Sequence, residues 1–129
     1  MCLKPFNAAG LALGVVESLV FTPLCGVLFA CGCDWPWNDL DAHCNFHNAK
    51  SLESCPWCVS LLTGGLTFLV SVSGSWLVLG YVRKSGVDTR FGLGLASSWF
   101  VLTAWVSAVL SAAWQGYSSG WVMFFLRSV

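Results

Sequence analysis

The stretch Cys31–Cys58 reads CGCDWPWNDLDAHCNFHNAKSLESCPWC. It holds five of the chain's seven cysteines, both histidines and three of its eight tryptophans. Thiols and imidazoles at this density support three kinds of chemistry. They can cross-link as disulfides, ligate a soft metal, or exchange electrons as a dithiol.

Each chemistry points to particular residues. Disulfide staples suit a short loop without a core of its own, and closing a loop of about 15 residues stabilises by roughly 3 kcal/mol. The candidates are Cys31, Cys33, Cys44, Cys55 and Cys58. Five thiols leave one unpaired unless Cys25 or a partner chain joins. A tetrahedral metal site is written in two half-sites, Cys44-Asn-Phe-His47 and Cys55-Pro-Trp-Cys58. Each two-residue spacer lets both ligands turn onto one ion. The separation of the half-sites is shorter than the zinc-finger spacing of about 12–15 residues. Zinc, copper(I) or an iron–sulfur cluster all fit such thiolate ligands. Cys31, Cys33 and His43 are further potential ligands. His43 reads otherwise as an ordinary exposed histidine, and Asp34, Asp39 and Asp41 as turn caps.

The third chemistry is thiol–disulfide exchange. Pro56 marks a helix start, and a thiol at a helix N-terminus is favoured as thiolate. In form, Cys55-Pro-Trp-Cys58 is similar to the dithiol of thioredoxin-like oxidoreductases. In placement it resembles the quinone-coupled disulfide-forming membrane enzymes, which carry a dithiol at the outer end of a helix. Those enzymes have four core helices and an arginine near the quinone, and this chain shows neither clearly. Covalent c-type haem is excluded, because Val59 and not histidine follows Cys58. Haem between two helical histidines is excluded as well, since both histidines fall in this segment.

The flanking sequence says where these thiols sit. Hydrophobic residues make up 57% of 129 residues and charged ones 9%, far below the charge a soluble domain needs to cover its surface. Net charge is zero, so nucleic-acid binding lacks electrostatic support. Residues 59–82 and 91–126 carry no charge, and Glu17 is the one charge between Ala8 and Ala30. About 20 apolar residues cross a bilayer as a helix. The expectation is an all-α membrane protein with three transmembrane helices, Ala8–Ala30, Trp57–Val82 and Phe91–Tyr117, forming one integral membrane domain over 1–129. Continuous rather than alternating apolar runs exclude a barrel. The first apolar run is longer than a signal-peptide core, so it reads as a retained helix. The Cys/His loop spans 31–58, and residues 118–129 form an interfacial tail, too short to cross again.

Lysine and arginine set the orientation. Lys4, Arg83, Lys84 and Arg90 fall on one side, Lys50 and Arg127 on the other. This places the N-terminus in the cytoplasm and the Cys-rich loop in the periplasm or another extracytoplasmic space. Trp35, Trp37, Trp57, Trp114 and Trp121 would anchor the outer interface, and Trp76 and Trp99 the inner one. Rows of small residues spaced by four predict close helix packing: Gly10, Gly14, Ser18, Thr22, Gly26 and Ala30; Thr63, Thr67, Ser71 and Ser75; Ala104, Ala108, Ala112 and Gly116. The short link with Gly86 predicts that the second and third helices are antiparallel neighbours. Glu17 lies near the middle of its helix, where a charge costs about 2.5–3.5 kcal/mol. It reads either as a proton, ion or cofactor contact or as an uncharged acid bonded to hydroxyls on a neighbouring helix, with Ser71, Ser73, Thr103 and Ser107 at similar depth.

No catalytic constellation is present. The expected function is a small non-catalytic accessory subunit of a larger membrane complex, such as a respiratory or photosynthetic electron-transfer assembly, with a disulfide- or metal-stabilised outer loop. Its expected partners are the lipid bilayer and other membrane subunits or further copies of itself. The alternative is a membrane thiol-redox or metal-handling protein acting through Cys55, Cys58, Cys44 and His47.

Overall fold

The computed structural model describes residues 8–37 and 55–117. Cys44, His47, His43, Asp39, Asp41, Lys50, Trp121 and the proposed tail lie outside the described residues. Within them the chain is all-helical, without strands: α1 Ala8–Phe29, α2 Pro56–Val59, α3 Leu61–Lys84 and α4 Thr89–Gln115. The long helices have 22, 24 and 27 residues. At about 1.5 Å per residue each can cross a hydrocarbon core of about 30 Å. All three are long and apolar enough to span a membrane.

The boundaries have local causes. α1 stops at Phe29 because Ala30 takes a left-handed conformation, φ 51°, and Gly32 follows at φ 76°. Together they turn Cys31 and Cys33 back along the end of α1. The predicted second helix is in fact two pieces. Cys55 caps α2, with Pro56 at its first turn, and the chain extends at Ser60 before α3 begins. The Ser60 hydroxyl accepts from the Thr63 N–H at 3.3 Å, so one residue ends α2 and caps α3. α4 starts at Thr89, earlier than Phe91, because the Asp88 carboxylate caps it through the Arg90 N–H. Gly116, at φ 64°, ends it.

α3 and α4 form the longest seam. Thr67 meets Ser107, Ser71 meets Thr103 and Gly92 lies against Val82, so partner numbers fall on α4 as they rise on α3. The pair is antiparallel. The buried face of α4 is Ala96, Phe100, Ala104, Ala108 and Ala112; Ala104, Ala108 and Ala112 pack in one cluster with Cys25, Leu28, Phe29 and Trp57. Among the expected small residues, Ala104, Ala108 and Ala112 do line the packed face, and Thr67, Ser71 and Ser75 are buried on α3. α1 also runs antiparallel to α3: Glu17 meets Ser75, Gly14 lies under the Trp76 ring and Phe21 meets Phe68 edge-on. A Cβ on Gly14 would stand 2.8 Å from that ring.

Glu17 is buried and accepts from the Ser75 hydroxyl at 2.7 Å, while its other oxygen, Oε1, has no hydrogen-bond partner. The serine is one turn from the expected Ser71. Ser71 and Ser107 instead serve the α3–α4 seam.

Candidate metal centre at the end of the bundle

Five cysteines converge where α1 ends and α2 begins. Cys25 comes from the last third of α1, Cys31 and Cys33 from the turn after it, and Cys55 and Cys58 from the cap and third residue of α2. Cys25 Sγ lies 3.3 Å from Cys55 Sγ and 3.8 Å from Cys31 Sγ, and Cys33 Sγ lies 3.9 Å from Cys58 Sγ. All but Cys58 are buried. The sulfurs form two sets of three, Cys25–Cys31–Cys55 and Cys25–Cys33–Cys58, with every distance inside a set below 4.8 Å.

Glycines allow the approach. A Cβ on Gly26 would overlap the Cys33 carbonyl oxygen, so only glycine lets the returning turn lie directly on α1. On α3, a Cβ on Gly64 would stand 2.6 Å from the Trp57 carbonyl oxygen, so this glycine seats α2 against the helix that follows.

Aromatic rings close the nest. Trp57 stacks on Phe21 at 4.9 Å between centroids, and Phe29 packs edge-on against Trp57 at 5.1 Å and against Tyr117 at 5.6 Å. Trp57, expected as an interfacial anchor, is only 3% exposed and belongs to the core. Stacking and the seat against Gly64 hold its ring inward. Trp35 and Trp37 are exposed and stacked on each other at 5.3 Å, and Trp114 is exposed. The Tyr117 hydroxyl donates to the Phe29 carbonyl at 2.7 Å, capping the end of α1, and the Gln115 amide donates to the Pro56 carbonyl at 3.3 Å. The end of α4 thereby clamps both segments that carry thiols.

The electrostatics single out Cys55. Side-chain hydrogen bonding with Cys25 above all, then with Cys31 and Cys33, holds its thiol far below the ordinary range, at about 4. The Cys58 N–H donates to the same sulfur at 3.3 Å. Cys31 is also held low, by Cys25 and then Cys33. Cys25 pulls Cys33 down, but Cys31, Cys55 and Cys58 outweigh it and push Cys33 up. Negative charge is therefore favoured on Cys55 and Cys31, and disfavoured on Cys33.

Beside the nest lies a cavity of about 240 Å³, walled by Cys25, Cys33 and Cys58 together with Phe21, Trp57 and Phe68. Its lining is almost wholly apolar, so a charge placed there gains little from solvation.

Of the residues expected to bind metal, Cys55 and Cys58 are in the nest, and Cys44 and His47 lie outside the described residues. Of the disulfide candidates, Cys31, Cys33, Cys55 and Cys58 are brought together. Cys25, which the sequence offers only as a spare thiol, belongs to both sulfur sets. Its signal was its position, a cysteine at the end of a membrane span six residues before Cys31.

No protein-family model matches the chain, and no curated protein or solved structure matches it.

Proposed function

We propose that the protein is a small, non-catalytic integral-membrane protein that holds a soft metal in its five-thiol nest. The metal ties the end of α1 to the segment that leads into α3. One observation carries this reading: sulfurs from three separate segments stand 3.3–3.9 Å apart. Thiolates at about 2.3 Å from a shared ion stand about 3.8–4.0 Å apart, which Cys25–Cys31 and Cys33–Cys58 match, while Cys25 and Cys55 stand closer. Thiol exchange with another protein draws less support. Cys55 is fully buried, which denies an incoming disulfide its attack, and its closest sulfur neighbour is Cys25 rather than Cys58.

We place the N-terminus and the Arg83–Arg90 link in the cytoplasm and the nest at the extracytoplasmic end, on the lysine and arginine bias. A place as accessory subunit in a larger membrane complex fits the same chain. Leu62, Leu66, Leu69, Leu77 and Tyr81 leave one side of α3 exposed, an apolar face that lipid or a partner helix can cover.

The deciding experiment is elemental analysis of the full chain purified in mild detergent under anaerobic conditions, with mass spectrometry of the unreduced protein. Stoichiometric zinc, copper or iron, lost on replacing Cys25 and Cys55 by serine, supports the reading. A metal-free chain with Cys25, Cys31, Cys33, Cys55 and Cys58 in disulfides refutes it and makes the nest a disulfide staple.

A further inference from the structure

The number of sulfurs in each set decides what kind of ion fits. A four-coordinate thiolate site, as for zinc, needs four sulfurs mutually about 3.8 Å apart. Among the described residues no four metal-ligating atoms all lie within 4.8 Å of one another; the two sets are both threes, and both contain Cys25. Three sulfurs around an ion at about 2.3 Å stand about 4.0 Å apart when the ion lies in their plane. Cys25–Cys31 at 3.8 Å and Cys33–Cys58 at 3.9 Å match an edge of such a triangle, Cys25–Cys55 at 3.3 Å is a closer approach that an ion would spread, and the other pairs in the two sets, which share the Cys25 corner, lie within 4.8 Å. Three-coordination by soft thiolates suits copper(I), a d¹⁰ monovalent ion without demand for a fourth ligand.

Resting on the metal reading above, we propose that the nest is a dinuclear copper(I) site, its two ions bridged by the Cys25 thiolate. Cys31 and Cys55 complete the inner position; Cys33 and Cys58 complete the outer one. Cys25 is the natural bridge, since it projects from an apolar helix where a thiolate needs positive neighbours, and a bridge has two. The two positions differ in access. The inner set is buried throughout, whereas Cys25, Cys33 and Cys58 wall the apolar cavity and Cys58 is partly exposed. The outer ion therefore exchanges and the inner ion stays. Binding is ligand substitution without net oxidation: each copper(I) leaves its carrier ligand, and the thiols it meets release their protons to solvent.

The test is anaerobic titration of the full-length reduced chain in detergent with copper(I) buffered by a chromophoric chelator, followed by X-ray absorption at the copper edge. The expected result is two copper ions per chain, a three-sulfur shell and a short copper–copper vector. A Cys58→Ser chain should keep one copper that resists the chelator. A chain carrying Cys44→Ser and His47→Ala should still bind two. One ion with four sulfurs, or loss of copper in that double variant, overturns the dinuclear site but leaves a metal centre standing. A reduced chain that binds neither copper(I) nor zinc overturns the metal reading itself. Cys58 lies at the rim, so its replacement tests the outer position even if Cys25→Ser does not fold.

Discussion

At the scale of single residues, the nest depends as much on missing atoms as on sulfur. Gly26 is the sharpest case, because a methyl there occupies the place of the Cys33 carbonyl oxygen. Gly26→Ala must push the turn off α1 and move Cys31 and Cys33 with it. Overpacking of this kind costs about 1–3 kcal/mol. The variant should melt earlier in detergent and lose bound metal, whereas Gly65→Ala, with nothing within 4 Å of the added methyl, should melt no earlier than the parent. Cys55 gives a second prediction, on pH. Its folded value lies near 4, below the ordinary thiol value of 9.0. A depressed acid contributes its full stability above the ordinary value and loses it as pH falls through the folded one. The reduced, metal-free chain should therefore lose thermal stability between about pH 9 and pH 4. Cys55→Ala should flatten that dependence; an unchanged slope would mean the charge sits elsewhere.

At the scale of helices, the α3–α4 seam joins through hydroxyls. Thr67 and Ser107 meet at 2.5 Å, and Thr67 also bonds the Thr63 carbonyl at 2.8 Å. Ser107 can thus donate to Thr67 while Thr67 donates back along its own helix. Interhelical hydrogen bonds in membranes average about 0.6 kcal/mol and reach about 1.7. A double-mutant cycle with Thr67→Val and Ser107→Ala, read by unfolding in mixed micelles, should give a coupling in that range. A coupling of zero would leave the seam to packing alone. This seam was legible in the sequence, because four-residue rows of Ser and Thr can serve little else inside a charge-free run. The row on α1 was legible as a row but not in its use: Gly14 accepts an indole and Gly26 a returning backbone. The break at Ser60 was hidden, since serine neither ends nor extends an apolar helix by its own preference. What places the break is the seating of Trp57 on Gly64, a contact without any periodic signature. Cys25 was hidden for a related reason. In a row of Leu, Val and Phe a cysteine passes for a small apolar residue.

At the scale of the whole molecule, orientation decides what the thiols must withstand. The nest lies at the end of the bundle opposite the Arg83–Arg90 link, because α3 and α4 run away from Cys55 and return to Tyr117. Three positive residues in that link and Lys4 outweigh Lys50 and Arg127. Replacing Arg83, Lys84 and Arg90 by glutamine removes most of the bias, so the chain should insert in both directions. A tag placed at Ser85 should be shielded from an impermeant reagent in intact cells for the parent and partly labelled for the triple variant. Labelling of the parent would reverse the assignment. The two orientations also make opposite demands on the sulfurs. Facing an oxidising space, free thiols 3.3 Å apart would soon be cross-linked, so a nest kept as thiolates there needs its metal bound before exposure. If the nest holds the proposed metal and faces outward as proposed, stripping that metal should convert Cys25 and Cys55 to a disulfide in air, two thiols giving up two electrons and two protons to oxygen. Reloading should require a reductant first. If the stripped chain instead takes metal back directly after standing in air, the thiols are protected by burial alone, and the orientation places no demand on the metal.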